Sequence, residues 1–401
     1  VRRLFVQPEM QHSVRRWCRA LALGTGLALL APAAPGAART GASVLVLGPD
    51  GHLYSWSAGE TALAPLPATL ARIDRGTIND LAAAEDGRSF LVLPAAPPAG
   101  GGKGGKRARA EGLAILVASG DGPLPPRILR EMRFDGEGRR AVLSRDGKRA
   151  FVLSIRATRT WIHELDLESG RILASDHIDQ PPAALTLDPA GTRLYLAYTG
   201  RIVSYTARPL ALSWHYRSPG ANRGIYFRPG SAVLYAVRQD QVTLFDPGAI
   251  AARPPEERRR QEDEATAVIP VPFTAESLIF SSGGRVAAVH GDGNSLAFID
   301  LETGRALPLE DGVALFGEIR EIRPIVFDDE GADLLVATFP DRRVVAVRAP
   351  VPEPVPTPSP SPTPRPFPSP SPTPAPFPSP APTPTPPLPG PPPPEPPPPV
   401  P

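Results

Sequence analysis

Three groups of residues in this 401-residue chain have types and spacings that could do chemistry. In "GGGKGGKR", Gly100, Gly105 and Lys106 have the spacing of a phosphate-binding loop, where glycine amides cradle phosphates and lysine meets the outermost one. The position after the lysine should carry Ser or Thr to hold magnesium, and it carries Arg107. The following "GLAILVASG" reads as a strand, so no helix N-terminus is present to receive the phosphates. Residues 94 to 112 are therefore read as a basic loop inserted between strands. The second group is the histidines beyond residue 38, namely His52, His163, His177, His215 and His290. They show no metal-ligand spacing, and no Gly-x-Ser-x-Gly elbow accompanies them, so neither a metal nor another cofactor is expected.

The third group is a column. Asn79, Arg139, Ala183, Asn222, Glu276 and Arg323 each stand eight residues before a glycine, at 87, 147, 191, 230, 284 and 331. The forked donors of Arg139 and Arg323 suit a carboxylate or carbonyl group. Placed around one opening, Asn79, Arg139, Asn222, Glu276 and Arg323 are the candidate ligand-binding residues. The alternative is that they solvate a rim.

The elements that must position this column recur. Each glycine lies in a turn between two apolar runs: "LAAAEDGRSFLVL" at 81, "AVLSRDGKRAFVL" at 141, "ALTLDPAGTRLYLA" at 184, "IYFRPGSAVLYAV" at 225, "LIFSSGGRVAAV" at 278 and "IVFDDEGADLLVA" at 325. The glycines are 60, 44, 39, 54 and 47 residues apart, and the two longest gaps contain insertions, 94–112 and "RPPEERRRQEDEA" at 253–265. The second insertion reads as a solvated helix or loop laced with Glu/Arg pairs. A period in the forties with four short strands per unit is that of a β-propeller. The column then lies at the start of each innermost strand, at one mouth of the central channel. "HELDLESGRIL" at 163 and "FIDLETGRALP" at 298 repeat Asp-Leu-Glu-Ser/Thr-Gly-Arg, a composition suited to reversing the outer pair of strands.

Residues 43–66 match 285–309, so they supply the last three strands of a unit, and residues 320–349 supply the first three of another. With five complete units between, the expected fold is an all-β, seven-bladed propeller, or six-bladed if the two ends merge into one composite blade. "SRDGKRAFVLS", "DPAGTRLYLAY" and "FIDLETGRAL" resemble the repeats of the YVTN family of bacterial seven-bladed propellers, related in shape to WD-repeat propellers. The chain departs from that family where a Tyr-Val-Thr-Asn-like strand is usual, carrying "FVLS", "LYLAY" and "AAVHGDGN" instead, and it lacks the WD-repeat Gly-His and Trp-Asp marks. The resemblance implies the fold. For function it implies several classes: binding proteins, lactonase-like enzymes and quinoprotein relatives.

The ends differ in composition. Five arginines precede the apolar run "ALALGTGLALL" and the small residues of "APAAPGAA", which reads as a secretory signal peptide over residues 1–38. That run is too short to span a membrane, which takes about 20 residues. The single cysteine, Cys18, lies in this leader, so no disulfide or thiolate chemistry follows it. Taking five arginines and Glu9 from 43 basic and 41 acidic residues leaves 38 against 40, a balance that disfavours nucleic-acid binding. Residues 351–401 hold 29 of the 56 prolines and read as a disordered, extended tail after the propeller of residues 39–350. The sequence thus reads as an exported, monomeric, non-enzymatic propeller that binds a protein or cell-envelope partner, with a small-molecule ligand in the channel as a secondary expectation. The alternative function is a lactonase-like enzyme acting on a cyclic ester, using Glu276, Arg139 or Arg323 and one channel histidine.

Overall fold

The computed structural model describes residues 43–350 apart from 71, 74–75, 85–87, 96–110, 120–125, 254–264, 282, 292–294, 308–320 and 328–332. The expected leader, the proline-rich tail, the Gly100–Gly105–Lys106 loop, most of both insertions, Gly87 and Gly331 lie outside the described residues.

Seven antiparallel sheets follow one another along the chain, so the architecture is a seven-bladed propeller. Blade 1 holds β1 (Ser43–Leu47), β2 (Leu53–Ser57) and β3 (Ala64–Pro65), and blade 2 holds β4 (Ile78–Ala83), β5 (Ser89–Pro94), β6 (Glu111–Ala118) and β7 (Arg127–Asp135). Blade 3 is β8 (Glu137–Leu143), β9 (Arg149–Arg156), β10 (Arg159–Asp166) and β11 (Ile172–Ile178); blade 4 is β12 (Ala184–Leu187), β13 (Arg193–Ala207) and β14 (Leu210–Ala221). Blade 5 is β15 (Gly224–Phe227), β16 (Leu234–Val237), β17 (Gln241–Phe245) and, after a short helix α1 (Pro247–Ala252), β18 (Ala267–Pro270). Blade 6 is β19 (Ala275–Phe280), β20 (Val286–Gly291), β21 (Leu296–Asp300) and β22 (Arg305–Leu307); blade 7 is β23 (Glu321–Phe327), β24 (Asp333–Phe339) and β25 (Arg343–Arg348).

Blade 4 is built like the four-stranded blades, because β13 reverses on itself. A straight strand of its 15 residues would span about 50 Å. Instead the Ala207 amide donates to the Thr192 carbonyl at 2.8 Å, and the reversal falls at Gly200, whose φ of 79° suits glycine.

Burial explains the composition of the strands. A blade is flanked by neighbours on both faces, so its second strand is apolar on both: in β9, Ala150, Phe151, Val152 and Leu153 are all buried. Outermost strands meet solvent, and β11 accordingly carries Ser175, Asp176 and His177. Each blade interface has its own apolar cluster. Leu45, Leu81 and Phe90 join blades 1 and 2; Leu91, Phe134 and Val152 join blades 2 and 3; Phe151, Leu194 and Tyr205 join blades 3 and 4. Tyr195, Tyr216 and Phe227 serve blades 4 and 5, Tyr235, Val237 and Phe280 blades 5 and 6, and Phe298, Phe327 and Val336 blades 6 and 7. A seventh cluster joins Val46, Tyr54 and Trp56 to Ile325, Ala337 and Phe339 and closes the ring. Backbone bonds from Leu63 to the Arg342 carbonyl at 2.7 Å and from Val344 to the Thr61 carbonyl at 2.9 Å reinforce it. The terminal sheets stay separate, so the count is seven and the six-bladed merger does not occur.

The terminal strands of the chain also take their expected places. The Gly48 amide bonds the His52 carbonyl as Gly291 bonds Ser295 between β20 and β21, and the Gly51 carbonyl accepts from Ile78 as that of Gln239 accepts from Ala275. Blade 1 therefore presents strands two to four of a unit. The duplicated motif is a structural turn in both copies. The Asp166 carboxylate accepts from the Glu168 and Ser169 amides and the Ser169 hydroxyl, and Asp300 accepts from the Glu302 amide and the Thr303 hydroxyl. Gly170 and Gly304 follow at φ of 75° and 65°.

Close packing in the outer half of blade 2 makes a first prediction. A Cβ on Gly112 would run into the Phe134 ring and the Gly136 carbonyl, neither of which can retreat. Gly112→Ala is expected to cost about 1–3 kcal/mol in urea unfolding, the usual penalty for overpacking. An unchanged midpoint would mean that β6 and β7 can slide apart.

Candidate functional site

The first strands of blades 2 to 7, β4, β8, β12, β15, β19 and β23, touch their successors around the axis. Among the described residues no strand pairs with their inner edges, which face the axis of the ring. Three expected column residues sit at β-bulges on these edges: pairing slips between Ile78 and Asp80, between Gly138 and Arg140, and between Ala275 and Ser277, leaving Asn79, Arg139 and Glu276 as the extra residues. A bulge breaks the ladder and re-aims its side chain. These three column residues therefore occupy equivalent backbone positions.

In blade 5 that position is Arg223, not Asn222. The Arg223 amide bonds the Val237 carbonyl while Gly224 pairs with Val237, just as Ala183 bonds Ala197 beside Ala184 in blade 4. The counting rule misses by one because the turn glycine comes two residues after the turn-opening Arg228 here, and three after Ser144, Asp188 and Ser281 in blades 3, 4 and 6. Asn222 is instead buried, donating to the Tyr198 carbonyl and accepting from the Ser218 hydroxyl, each at 2.7 Å. Ser218 in turn accepts from Arg238 at 2.8 Å, so Asn222 belongs to a latch between blades 4 and 5. In blade 7 the slip falls two residues later, between Pro324 and Val326, and Arg323 sits in regular register opposite Ala337.

The charges at this mouth are engaged with one another. Glu137 accepts from Asn79 at 3.0 Å and from Arg139 at 2.9 Å, and Asn79 also reaches the Gly138 carbonyl at 2.7 Å. Arg323 makes a close ion pair with Glu321, and Arg223 lies 3.7 Å from Glu276. The structure thus brings Asn79 and Arg139 together, joins Glu276 to Arg223, and keeps Arg323 with its own strand neighbour. The Nε–H groups of Arg139 and Arg323 are sequestered from solvent with no acceptor among the described residues.

One residue further along the strands lies a group that sequence reasoning missed. Asp80 is buried, and its carboxylate accepts from the Ala141 amide of the next blade at 2.7 Å. Burial pushes its acid up to about 6, against the pull of Arg140 and of the Ala141 and Leu81 amides. Tyr226 of blade 5 is also buried, and burial raises its phenol; the Leu278 amide and Arg140 pull the other way, while Glu276 adds to the rise. The charge of Arg140 in blade 3 is therefore felt by Asp80 in blade 2 and by Tyr226 in blade 5. The one available sequence signal was an Asp followed 60 residues later by an Arg at equivalent repeat positions.

The histidines do not enter this group, since none lies on an innermost strand. His163 is a structural pin, held by the Ser154 and Ser175 hydroxyls at 2.9 and 2.8 Å, and burial keeps its imidazole below the usual value. Among the described residues no three His, Cys, Asp or Glu gather as metal ligands, and no helix is long and apolar enough to cross a membrane. Chemically, this group combines a buried carboxyl whose acid burial raises to about 6, a guanidinium and a buried phenol.

No protein-family model and no curated protein matches the chain. Solved structures match its fold. A chain of the crystal structure of a mitotic checkpoint complex aligns at TM-score 0.51 and 13% identity, covering 75% of this chain and 84% of that one. A functionally unknown protein from Desulfotomaculum acetoxidans aligns at TM-score 0.51 and 10% identity, covering 76% and 95%. At such identities the likeness is one of fold alone.

Proposed function

We propose that the chain is an exported, non-enzymatic binding module of the YVTN type that docks a cell-envelope protein against the outer rim of its propeller. The observation that carries this reading is an apolar arc. Leu129, Ile172, Leu173, Leu212 and Val268 are 47, 43, 52, 55 and 49% exposed, the large apolar side chains left most open to solvent among the described residues. All lie within the first three residues of an outermost strand, in the four successive blades 2 to 5. Among the described residues no strand pairs with the outer edges of these strands, and an apolar surface beside such an edge suits a polypeptide partner. The leader supports export, and the proline-rich tail supports a spacer role.

Leu173→Lys combined with Leu212→Lys tests the rim. The double variant is expected to keep the parental melting temperature within about a degree, because exposed positions contribute little. Its binding to envelopes isolated from the source cells should fall at least tenfold, and protease treatment of the envelopes should abolish binding by the parent. Undiminished binding by the variant would remove the rim from the reading. Export is checked separately by N-terminal sequencing of the chain recovered from those cells, which should begin near Arg39.

A propeller enzyme acting on a cyclic ester is the second reading, favoured by the Asp80 and Arg140 acid–guanidinium neighbourhood in the channel. Turnover of a lactone panel by the parent, lost in Arg140→Ala, would put it first.

A further inference from the structure

We propose that the outer edge of β25 accepts an extended segment of a partner polypeptide, which completes blade 7 with a fourth strand. Blades 2 to 6 each end in an outermost strand, whereas blade 7 ends at its third. Among the described residues only Ala62 pairs with that edge, in an antiparallel bridge to Arg343. The burial of the strand agrees. Third strands elsewhere are shielded, with Ile162 in blade 3 and Phe298 in blade 6 wholly buried. In β25, Val344 and Val345 are only half-buried and Ala346 is exposed, although the strand is apolar from Val344 to Val347. The neighbouring blades give it little cover, since their outermost strands β22 and β3 have three and two residues.

The bridge also fixes which backbone groups are offered. The Leu63 amide bonds the Arg342 carbonyl at 2.7 Å, and the Val344 amide bonds the Thr61 carbonyl at 2.9 Å, so Val344 directs its backbone outwards. β25 pairs with β24 without a register shift, and backbone groups alternate in direction along a strand. Ala346 and Arg348 therefore turn their amides and carbonyls to the same side as Val344. That row of groups is what an added strand recognises. The charge of the edge sets the chemistry of the occupant. Arg343 and Arg348 bracket the apolar run, and β25 holds no acid. Arg343 is exposed and makes no ion pair among the described residues, and Arg348 is 73% exposed, 3.5 Å from Asp333. A second copy of β25 would set arginines against arginines, so the occupant is a different chain. Directly opposed side chains share a face, so the fitting segment carries an acid opposite Arg348 and apolar residues opposite Val345 and Val347. This edge lies apart from the apolar arc of blades 2 to 5 and does not depend on it.

The test is a ligand-observed NMR titration of the full chain with the acetylated, amidated hexapeptide Asp-Glu-Val-Thr-Val-Ser. It should bind saturably. The same peptide with Lys-Lys in place of Asp-Glu, and one N-methylated at its glutamate and threonine, should each bind at least tenfold more weakly. Ala346→Pro removes one outward amide and no bond to β24, a change that an edge strand tolerates. It should keep the melting temperature within a few degrees and weaken peptide binding at least tenfold. Arg343→Glu combined with Arg348→Glu should reverse the preference in favour of the lysine peptide. If Ala346→Pro fails to fold, the N-methylated peptide decides the backbone contact. Absence of saturable binding would overturn the proposal, as would equal binding of the N-methylated peptide or a folded Ala346→Pro variant that binds like the parent. A full chain that elutes as a dimer, and as a monomer once Ala346→Pro is introduced, would overturn it by giving the edge to a second copy.

Discussion

A chain ending at residue 319 is expected to lose cooperative unfolding and to aggregate, although six of seven blades remain. Removing blade 7 uncovers two apolar faces at once. On blade 6 it exposes Ile279, Val286, Leu296 and Phe298, each 8% exposed or less in the closed ring. On blade 1 it exposes Val46, Tyr54, Trp56 and Leu63. At about 1.5–3 kcal/mol for each large side chain returned to water, the loss is on the order of 10 kcal/mol, comparable with the whole stability of a typical domain. The backbone bonds at Leu63 and Val344 go with it. Size-exclusion chromatography and a thermal melt of residues 39–319 check this. A monomeric fragment with a sharp transition would show that the blades can hold an open arc.

Asp80→Asn is expected to stabilise the protein above pH 6 and to leave it nearly unchanged at pH 4. The Asp80 acid lies near 6 in the folded protein, raised first by burial, against about 4 in an unfolded chain. Between those values the folded state keeps a proton that the unfolded state has released, so stability falls as pH rises through the window. Below it both states are protonated, and above it both are ionised. The gap corresponds to about 3 kcal/mol, or several degrees of melting temperature. Asparagine can still accept from the Ala141 amide without bringing a charge into the channel. The measurement is the melting-temperature difference between variant and parent from pH 4 to 8. A difference that does not grow with pH, or a variant less stable at pH 8, would show that attraction to Arg140 outweighs burial.

Local chemistry was legible. Gly147, Gly191, Gly230 and Gly284 take φ of 62–69° in their turns, a conformation that favours glycine, so their recurrence marked the strand pairs. The paired Asp-Leu-Glu-Ser/Thr-Gly motifs announced reversals because an aspartate bonds amides two and three residues ahead whatever surrounds it. Asn79, Arg139 and Glu276 fall at equivalent bulged positions because an inner strand keeps a constant offset from its turn. Asn222 was misplaced when one turn carried its glycine a residue early, a shift invisible until the ladder bonds of Arg223 are seen.

The sequence by itself determined the all-β class and the repeat period, since each follows from interactions within about 50 residues of chain, and it left seven blades or six open until the separate terminal sheets decided for seven. Only the tertiary structure decided which polar groups of different blades influence one another. Asp80, Arg140 and Tyr226 come from blades 2, 3 and 5, and their neighbourhood exists only after the ring brings the inner strands around one axis. The same closure decided which charges are engaged, tying Asn79 to Glu137 across a blade boundary and Arg223 to Glu276 across another. It also selected which apolar residues stay in water: Leu173 and Leu212 are as apolar as Leu153 and Leu196, but they lie on outermost strands, beyond the reach of a neighbouring blade.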